Sequence, residues 1–383
     1  MSTLPLVTVI TPSYQQVEYI ERTIQSVLGQ EYPNLEYWVI DGGSTDGTVD
    51  ILKRYDGRLN WVSEADRGQS DALNKGFRRA RGAILGWLNA DDTYNPEAIR
   101  QAVAAMEEYP DVGMVYSHCN FIDICDNVVF RQVAPAFSLA REVLDHNLPQ
   151  PTAFYRSDVL RTVGYLNPEL HFVMDWDLFL RIGVQFPIQQ VDAVWANFRE
   201  VNGTKTCSHP EKFWDEMVGV FESFFSISEL PAEVRGLREQ ALARVHWAAG
   251  VIYQLDSDFT TRLLGQQSCQ KALDLYPLLE QDYQFASAQI VDWAVRRLPL
   301  AERKAFVDTI FSSLSITDSV RRSMVRQISG NVFASSVLMQ GDYRYNLPVF
   351  SYRQTLCLVF QAVRQDFRWI FNRGILSRLL RCS

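Results

Sequence analysis

Several common functional signatures are missing from these 383 residues. The six cysteines, Cys119, Cys125, Cys207, Cys269, Cys357 and Cys382, form no CxxC pair. Neither a zinc site nor a disulfide framework is signalled, and a reducing, cytoplasmic setting is expected. The five histidines are equally dispersed, with no HxxxH pair to bind a metal, and each is expected to be structural. There is no basic excess. With 37 Lys and Arg against 45 Asp and Glu, the net charge is -8, which argues against nucleic acid as a partner. No run of about 18 apolar residues is present, so no membrane-spanning helix is expected. The N-terminus lacks the basic and apolar regions of a signal peptide. Neither GxGxxG nor GxxxxGK[ST] occurs, so a bound phosphate would be held through metal and side chains, not mainly by a helix N-terminus.

What is present is a chain that is 47% hydrophobic and 12% aromatic, enough for a sizeable core in two or three domains. The first hundred residues alternate strand and helix. PLVTVIT (5–11), LEYWVI (35–40), residues 59–62 and 83–88 read as short buried strands. Between them, Ile20, Ile24, Val27 and Leu28 recur at helical spacing, Ser70 is placed to cap a helix running to about Ala80, and Asn95-Pro96 to cap and start another. Such alternation predicts an α/β fold, Rossmann-like, with a mostly parallel sheet covered by helices on both faces. A β-rich stretch (112–133), a helix over 175–184 and a strand near 189–198 follow. The rest reads as helical, including a helix pair that ends at Pro277. The expected organisation is a domain over 1–210 with halves near 1–110 and 111–210, a helical domain over 211–345, and a basic amphipathic helix over 346–383. In that last segment Leu356, Phe360, Val363, Phe367, Ile370 and Phe371 share one face, and residues 351–383 hold six arginines against Asp366 alone. Such a helix is suited to an anionic membrane surface or to packing on protein.

In an open α/β sheet, ligands sit beyond the carboxyl ends of the strands. Here those ends are polar: Thr11-Pro12-Ser13-Tyr14, Asp41-Gly42-Gly43-Ser44 and Asn89-Ala90-Asp91-Asp92. Two adjacent acids on such a rim repel each other unless a positive group intervenes. A divalent cation bridging to phosphate oxygens supplies one, and hard oxygen ligands suit magnesium or manganese. The plainer alternative is that Asp91 and Asp92 only turn the chain and cap the next helix.

TVITPSY, VIDGGSTDGT, SEADRGQSDALNKG and GWLNADD, in that order, resemble the family 2 glycosyltransferases. The likeness is strong over the first hundred residues and weaker to about residue 206. It implies a GT-A fold and transfer, with inversion, of a sugar from a nucleoside diphosphate donor. Carried over by position, Thr11, Pro12 and Tyr14 line the base pocket. Asp41 accepts from the base, expected to be uracil, and does so alone because the family's frequent second acid is Gly42 here. Asp71 and Lys75, with Asn74 nearby, hold the nucleoside. Asn89-Ala90-Asp91-Asp92 matches the metal motif with its first acid replaced. Asn89 and Asp91 would position ribose and diphosphate, and Asp91 or Asp92 would make the main metal contact. HFVMDWDLFLRIG resembles the segment carrying the catalytic base, with Asp175 in that role, Asp177 bracing the helix, and Trp176 shaping the acceptor pocket or the core. In NFREVNGTKT the family's frequent histidine is absent, leaving Arg199 and Lys205 as substitute contacts to the diphosphate.

The resemblance thus implies an inverting glycosyltransferase using Mg2+ or Mn2+. Its acceptor would be a cell-surface or lipid-linked glycan, and its setting cytoplasmic, with peripheral contact at the inner face of the cell membrane through the C-terminal helix. Two rivals share the fold: an inactive nucleotide-sugar-binding scaffold, and a nucleotidyltransferase, which would release pyrophosphate.

Overall fold

A nine-stranded sheet organises the N-terminal half of the computed structural model, which describes residues 4–145, 148–199, 210–256, 258–280, 283–339 and 352–365, with 369 and 372. The elements run β1 (Val7–Ser13), α1 (Ile20–Leu28), β2 (Leu35–Asp41), α2 (Thr48–Lys53), β3 (Asn60–Ser63), α3 (Gln69–Arg79), β4 (Ile84–Trp87), β5 (Thr93–Tyr94), α4 (Ala98–Glu108), β6 (Met114–Ile122), β7 (Val128–Gln132), α5 (Leu139–Glu142), β8 (Phe154–Arg156), α6 (Ser157–Val163), α7 (Met174–Gln185) and β9 (Ile188–Arg199). Strand order is β3-β2-β1-β4-β8-β6-β9-β5, with β7 paired to β6. From β3 to β4 all pairings are parallel, as expected from helical crossovers. Beyond β4 the sheet is mixed. β8 runs antiparallel to both β4 and β6, and β5–β9 and β6–β7 are antiparallel, whereas β6–β9 is parallel. Residues 112–133, read only as β-rich, form the β6–β7 hairpin.

Successive strand residues point to opposite faces, and each face is covered. On one, Val7, Val9 and Val39 pack with Ile20, Ile24 and Val27 of α1, Leu52 of α2 and Ile99, Val103 and Met106 of α4. On the other, α3 lies so close that a Cβ on Gly76 would be 2.5 Å from Ile10 Cγ2. Tyr155 of β8 stacks there on Phe179 of α7.

Two helix-start expectations fail. Ser70 lies inside the first turn of α3, and Gly68 precedes that helix; the Ser70 hydroxyl donates to Leu170 O instead, at 2.7 Å. The residue before α4 is Glu97, at φ 69°. Asn95 is drawn off to β9, donating to Val194 O at 3.0 Å and accepting from Asn197 at 2.9 Å.

The chain divides into two units, residues 1–204 with 223–235, and 205–222 with 236–383. Helices α8 (Pro210–Phe224) and α9 (Ala232–Arg235) fall at this division. The second unit contains α10 (Arg238–Tyr253), α11 (Phe259–Leu275), α12 (Tyr283–Arg297), α13 (Leu300–Ser312), α14 (Asp318–Leu338) and α15 (Tyr352–Gln365). Its core gathers Trp247, Val251, Cys269, Leu273, Ile290, Phe306, Ile310, Phe311 and Ile328. Helices α10 and α11, the pair read from sequence, meet backbone to backbone: a Cβ on Gly250 would be 2.7 Å from Gly265 O. Helix α15 packs Leu358 and Ala362 beside Phe333, Ala334 and Val337 of α14. The face buried here is therefore not the expected one, of which Leu356 and Phe360 are 47% and 68% exposed. Phe367, Ile370 and Phe371 lie outside the described residues. No helix among the described residues is long and apolar enough to cross a membrane.

Candidate active site

Strand register brings the polar strand ends together. Ser13 pairs with Asp41, Asp41 with Ser63, and Ile10 with Trp87, so β1, β2, β3 and β4 end on one rim. Tyr14 stands out from it, 61% exposed. Thr11 and Pro12 do not: both are buried, and the Thr11 hydroxyl pairs with that of Tyr37 at 3.0 Å. The loops after β1 and β2 are stitched together. Gln15 and Val17 donate backbone N–H groups to the Ser44 hydroxyl and to Asp46, and Gln15 Oε1 accepts from the Thr45 and Asp46 backbones. This gives the polar run STDGT a structural task.

Asp41 is fully buried. Its Oδ2 accepts from the Gly43 and Ser44 backbones and from the Ser63 hydroxyl (3.1, 2.9 and 2.6 Å), and its Oδ1 from the Ser44 hydroxyl at 2.5 Å. Four donors from its own turn and from β3 thus meet the carboxylate that the resemblance assigns to the base.

The acid loop follows β4. Thr23 of α1 donates to both Ala90 O and Asp92 O, at 2.8 and 2.7 Å. Asn89 Oδ1 accepts from Trp87 Nε1 and Gln69 Nε2, and its Nδ2 donates to Asp92 Oδ2 and Gln150 Oε1. Its amide is thus occupied at both ends, so it positions the loop and is not open to ribose. Asp92 is fully buried, and its Oδ1 accepts the Arg199 backbone N–H at 2.9 Å. Asp91 is partly covered. Burial pushes both carboxyls above the usual range, Asp92 well above it because Asp91 adds repulsion, while Arg199 draws both back. Asp91 is the less buried acid of the pair.

Arg199 is the cation that draws on both acids, and it is already engaged. It is fully buried, donating from Nε to Asp91 O (2.9 Å), from Nη1 to Asp123 O (2.7 Å) and from Nη2 to Asp126 Oδ1 (2.5 Å), with Tyr19 over its face. All three of these bonds of the cation expected at the diphosphate run to protein atoms. Lys205 lies outside the described residues.

Helix α3 links this rim to the segment before α7. Asn74 is buried and makes two bonds with the Leu166 backbone, at 2.8 and 3.0 Å, and Ser70 holds Leu170 O. The His171 ring lies over Gly68, whose Cβ would be 3.1 Å from Nδ1. These contacts fix the strand of chain that delivers Asp175 to the first turn of α7, where it is partly exposed and accepts the Trp176 N–H at 2.9 Å. Asp177 braces α7 by accepting from Arg181 at 2.7 and 3.0 Å. Trp176 is 5% exposed and donates to Glu142 O, which makes it core and not an acceptor contact. Asp71 accepts the Arg67 N–H, and Lys75 ties down Glu64 (3.1 Å) and Ala65 O (3.2 Å), so both brace the turn before α3. The sequence reading missed Gln69 and Gln150, which clamp Asn89, and Asp66, two residues before Gly68. Asp66 and Gln69 had a signal, their place within SEADRGQSDALNKG, and Gln150 had none.

The family model for glycosyl transferase family 2 matches residues 8–158. An uncharacterized glycosyltransferase of Mycobacterium tuberculosis (strain ATCC 25618 / H37Rv) is 31% identical over 186 residues, covering 47% of this chain and 70% of that protein. The chain belongs to glycosyltransferase family 2. TuaG of Bacillus subtilis (strain 168), whose name assigns it provisionally to teichuronic acid biosynthesis as a glycosyltransferase, is 42% identical over 108 residues, 27% of this chain and 43% of its own. The chain spans about half the length of the curated relatives it matches. Among solved structures, Staphylococcus aureus TarS 1–349 in complex with UDP-GlcNAc superposes with a TM-score of 0.58 at 18% identity, over 84% of this chain and 91% of that one. That likeness shows the GT-A-type fold of this family 2 member.

Proposed function

We propose that this family 2 member moves a sugar from a nucleoside diphosphate donor, a UDP-sugar, to a glycan hydroxyl by a single inverting displacement. The acid loop carries this reading. It holds two covered carboxylates whose one cationic neighbour is already committed, so it has an unmet demand for positive charge facing the rim where ligands of open sheets lie. A divalent metal fits that demand. Among the described residues no three His, Cys, Asp or Glu side chains cluster to cage an ion by themselves. Magnesium and manganese need no such cage, since one or two carboxylates plus substrate phosphates and water complete their shell. Asp91 would hold the ion, with Asp92, Asn89 and Arg199 fixing Asp91. When bound, the ion offsets charge on the departing diphosphate.

The remaining work falls to the chain itself. The exposed Tyr14 ring offers a face on which a base can stack. Asp175 takes the acceptor hydroxyl proton as that oxygen forms its bond to the anomeric carbon, opposite the leaving group. Asn74 and Ser70 hold the segment that sets where Asp175 stands. TarS 1–349 forms a complex with UDP-GlcNAc, and TuaG is named for teichuronic acid biosynthesis. The first supports a UDP donor and the second a glycan acceptor, for which we propose a cell-surface or lipid-linked glycan. The exposed Leu356 and Phe360 of α15, in a segment with six arginines and one acid, support contact of that helix with anionic lipid at the inner face of the membrane.

The test is release of UDP from a panel of UDP-sugars with Mn2+ and candidate acceptors. Asp175→Asn should abolish release while donor binding stays nearly unchanged. Turnover surviving that change removes Asp175 as base. Pyrophosphate released from a nucleoside triphosphate would favour the nucleotidyltransferase, and binding without any turnover the scaffold.

A further inference from the structure

The turn after β2 contains a space that another part of the chain has filled. A Cβ on Gly42 would lie 2.7 Å from Asp66 Oδ2, 3.2 Å from Asp66 Cγ and 3.3 Å from Tyr14 Cδ2. The Gly42 backbone is not in the left-handed region, unlike that of Gly43 at φ +84°. Glycine at 42 is thus required by room, not by backbone conformation. The room is taken by the Asp66 carboxylate, beside the exposed ring of Tyr14. Asp66 Oδ1 accepts the Gly68 N–H at 2.8 Å, while Oδ2 has no hydrogen-bond partner among the described residues. Asp41, one residue before this gap, has both oxygens occupied by four protein donors.

Resting on the nucleotide-sugar reading above, we propose that Asp66 Oδ2, not Asp41, reads the edge of the donor's base, and that Gly42 is the space that admits it. The chemistry selects the base. One open acceptor oxygen beside a stacking ring suits an edge with one N–H, such as the imide N3–H of uracil. Guanine presents two adjacent N–H groups, which pair best with both oxygens of a carboxylate, and here the second would have to share Oδ1 with the Gly68 N–H. Cytosine N3 and adenine N1 are acceptors and would face Oδ2 lone pair to lone pair. The site therefore prefers a uracil nucleotide.

The experiment is calorimetric titration of the full chain with UDP, CDP and GDP in Mn2+. Wild type should bind UDP most tightly. Asp66→Asn keeps an oxygen for the Gly68 N–H and turns its NH2 toward the base. It should weaken UDP by about ten- to a hundredfold, the scale of one hydrogen bond to a charged group, and bring CDP level or ahead. Gly42→Asp alone should also weaken UDP, by displacing Asp66. The double variant Gly42→Asp/Asp66→Gly should recover most of the loss, because the new acid occupies the vacated space. Melting curves confirm that each variant is folded. UDP affinity within twofold of wild type in Asp66→Asn overturns the proposal and leaves the glycosyltransferase reading standing. A double variant no better than Gly42→Asp alone overturns the exchange. Wild type binding no nucleoside diphosphate overturns both readings.

Discussion

Replacing Arg199 by leucine should destabilise the sheet unit by about 3–5 kcal/mol, the scale for removing one partner of a buried charged network. The magnitude follows from what the guanidinium touches. It is fully buried, and its loss strands Asp91 O and Asp123 O, each bonded at 2.9 Å or less, and removes the one cation drawing the Asp91 and Asp92 pKa values down. Each stranded acceptor alone costs about 1–3 kcal/mol. The Asp126 pair adds little, because Asp126 is half-exposed. Arg22 supplies the control. It binds the same Asp126 at 3.1 Å, but its side chain is 44% exposed, so Arg22→Ala should cost less than about 1 kcal/mol. Arg199→Lys keeps the charge but not the three-way fork and should fall between them. Urea denaturation of the three variants, followed by tryptophan fluorescence, measures the differences. A cost for Arg199→Leu no greater than that for Arg22→Ala would refute the claim that a buried guanidinium holds the acid loop.

Further outcomes follow from other packed sites. Burial, aided by Lys271 and opposed by Glu222, depresses His246 to about 4 from 6.5. The unfolded chain therefore takes up this proton first. Stability of the helical unit is full above pH 6.5 and falls by up to about 3 kcal/mol as pH drops toward 4. His246→Gln should flatten that slope in acid melts, and an unchanged slope would show that another group sets it. Gly76→Ala should destabilise by up to about 2 kcal/mol, since overpacking against Ile10 costs about 1–3 and helix propensity returns about 1; a gain in melting temperature would contradict the close approach of α3. Asn74→Ala frees the Leu166 backbone and should slow turnover with donor affinity unchanged, measured as kcat against donor Kd.

The strand ends were legible because a rim of a parallel sheet needs polar residues directly after apolar runs, and TPSY, DGGS and NADD supply them. Their roles were not, because burial and partner choice are set by chain that is distant in sequence. Asn89 is clamped by Gln69 and Gln150, and Asp41 by Ser63. Arg199 reads as an open cation until β9 carries it beneath the acid loop. Asn95 has the chemistry of a helix cap, but Asn197 and the β9 backbone compete for it and win. The reversal of β8 left no trace in periodicity, since a three-residue strand buried among others has no alternation to read. The C-terminal helix was correctly amphipathic in sequence, yet packing on α14 selected Leu358 and Ala362 and left Leu356 and Phe360 outside.

Titration of wild type and Asp91→Asn with UDP, each with and without Mn2+, tests most directly whether a cation joins a nucleoside diphosphate to the acid loop. Wild type should bind UDP at least tenfold more tightly with Mn2+, and Asp91→Asn should lose that increment while keeping the metal-free affinity. Equal affinity with and without the ion in wild type, or an increment undiminished by Asp91→Asn, would contradict the account.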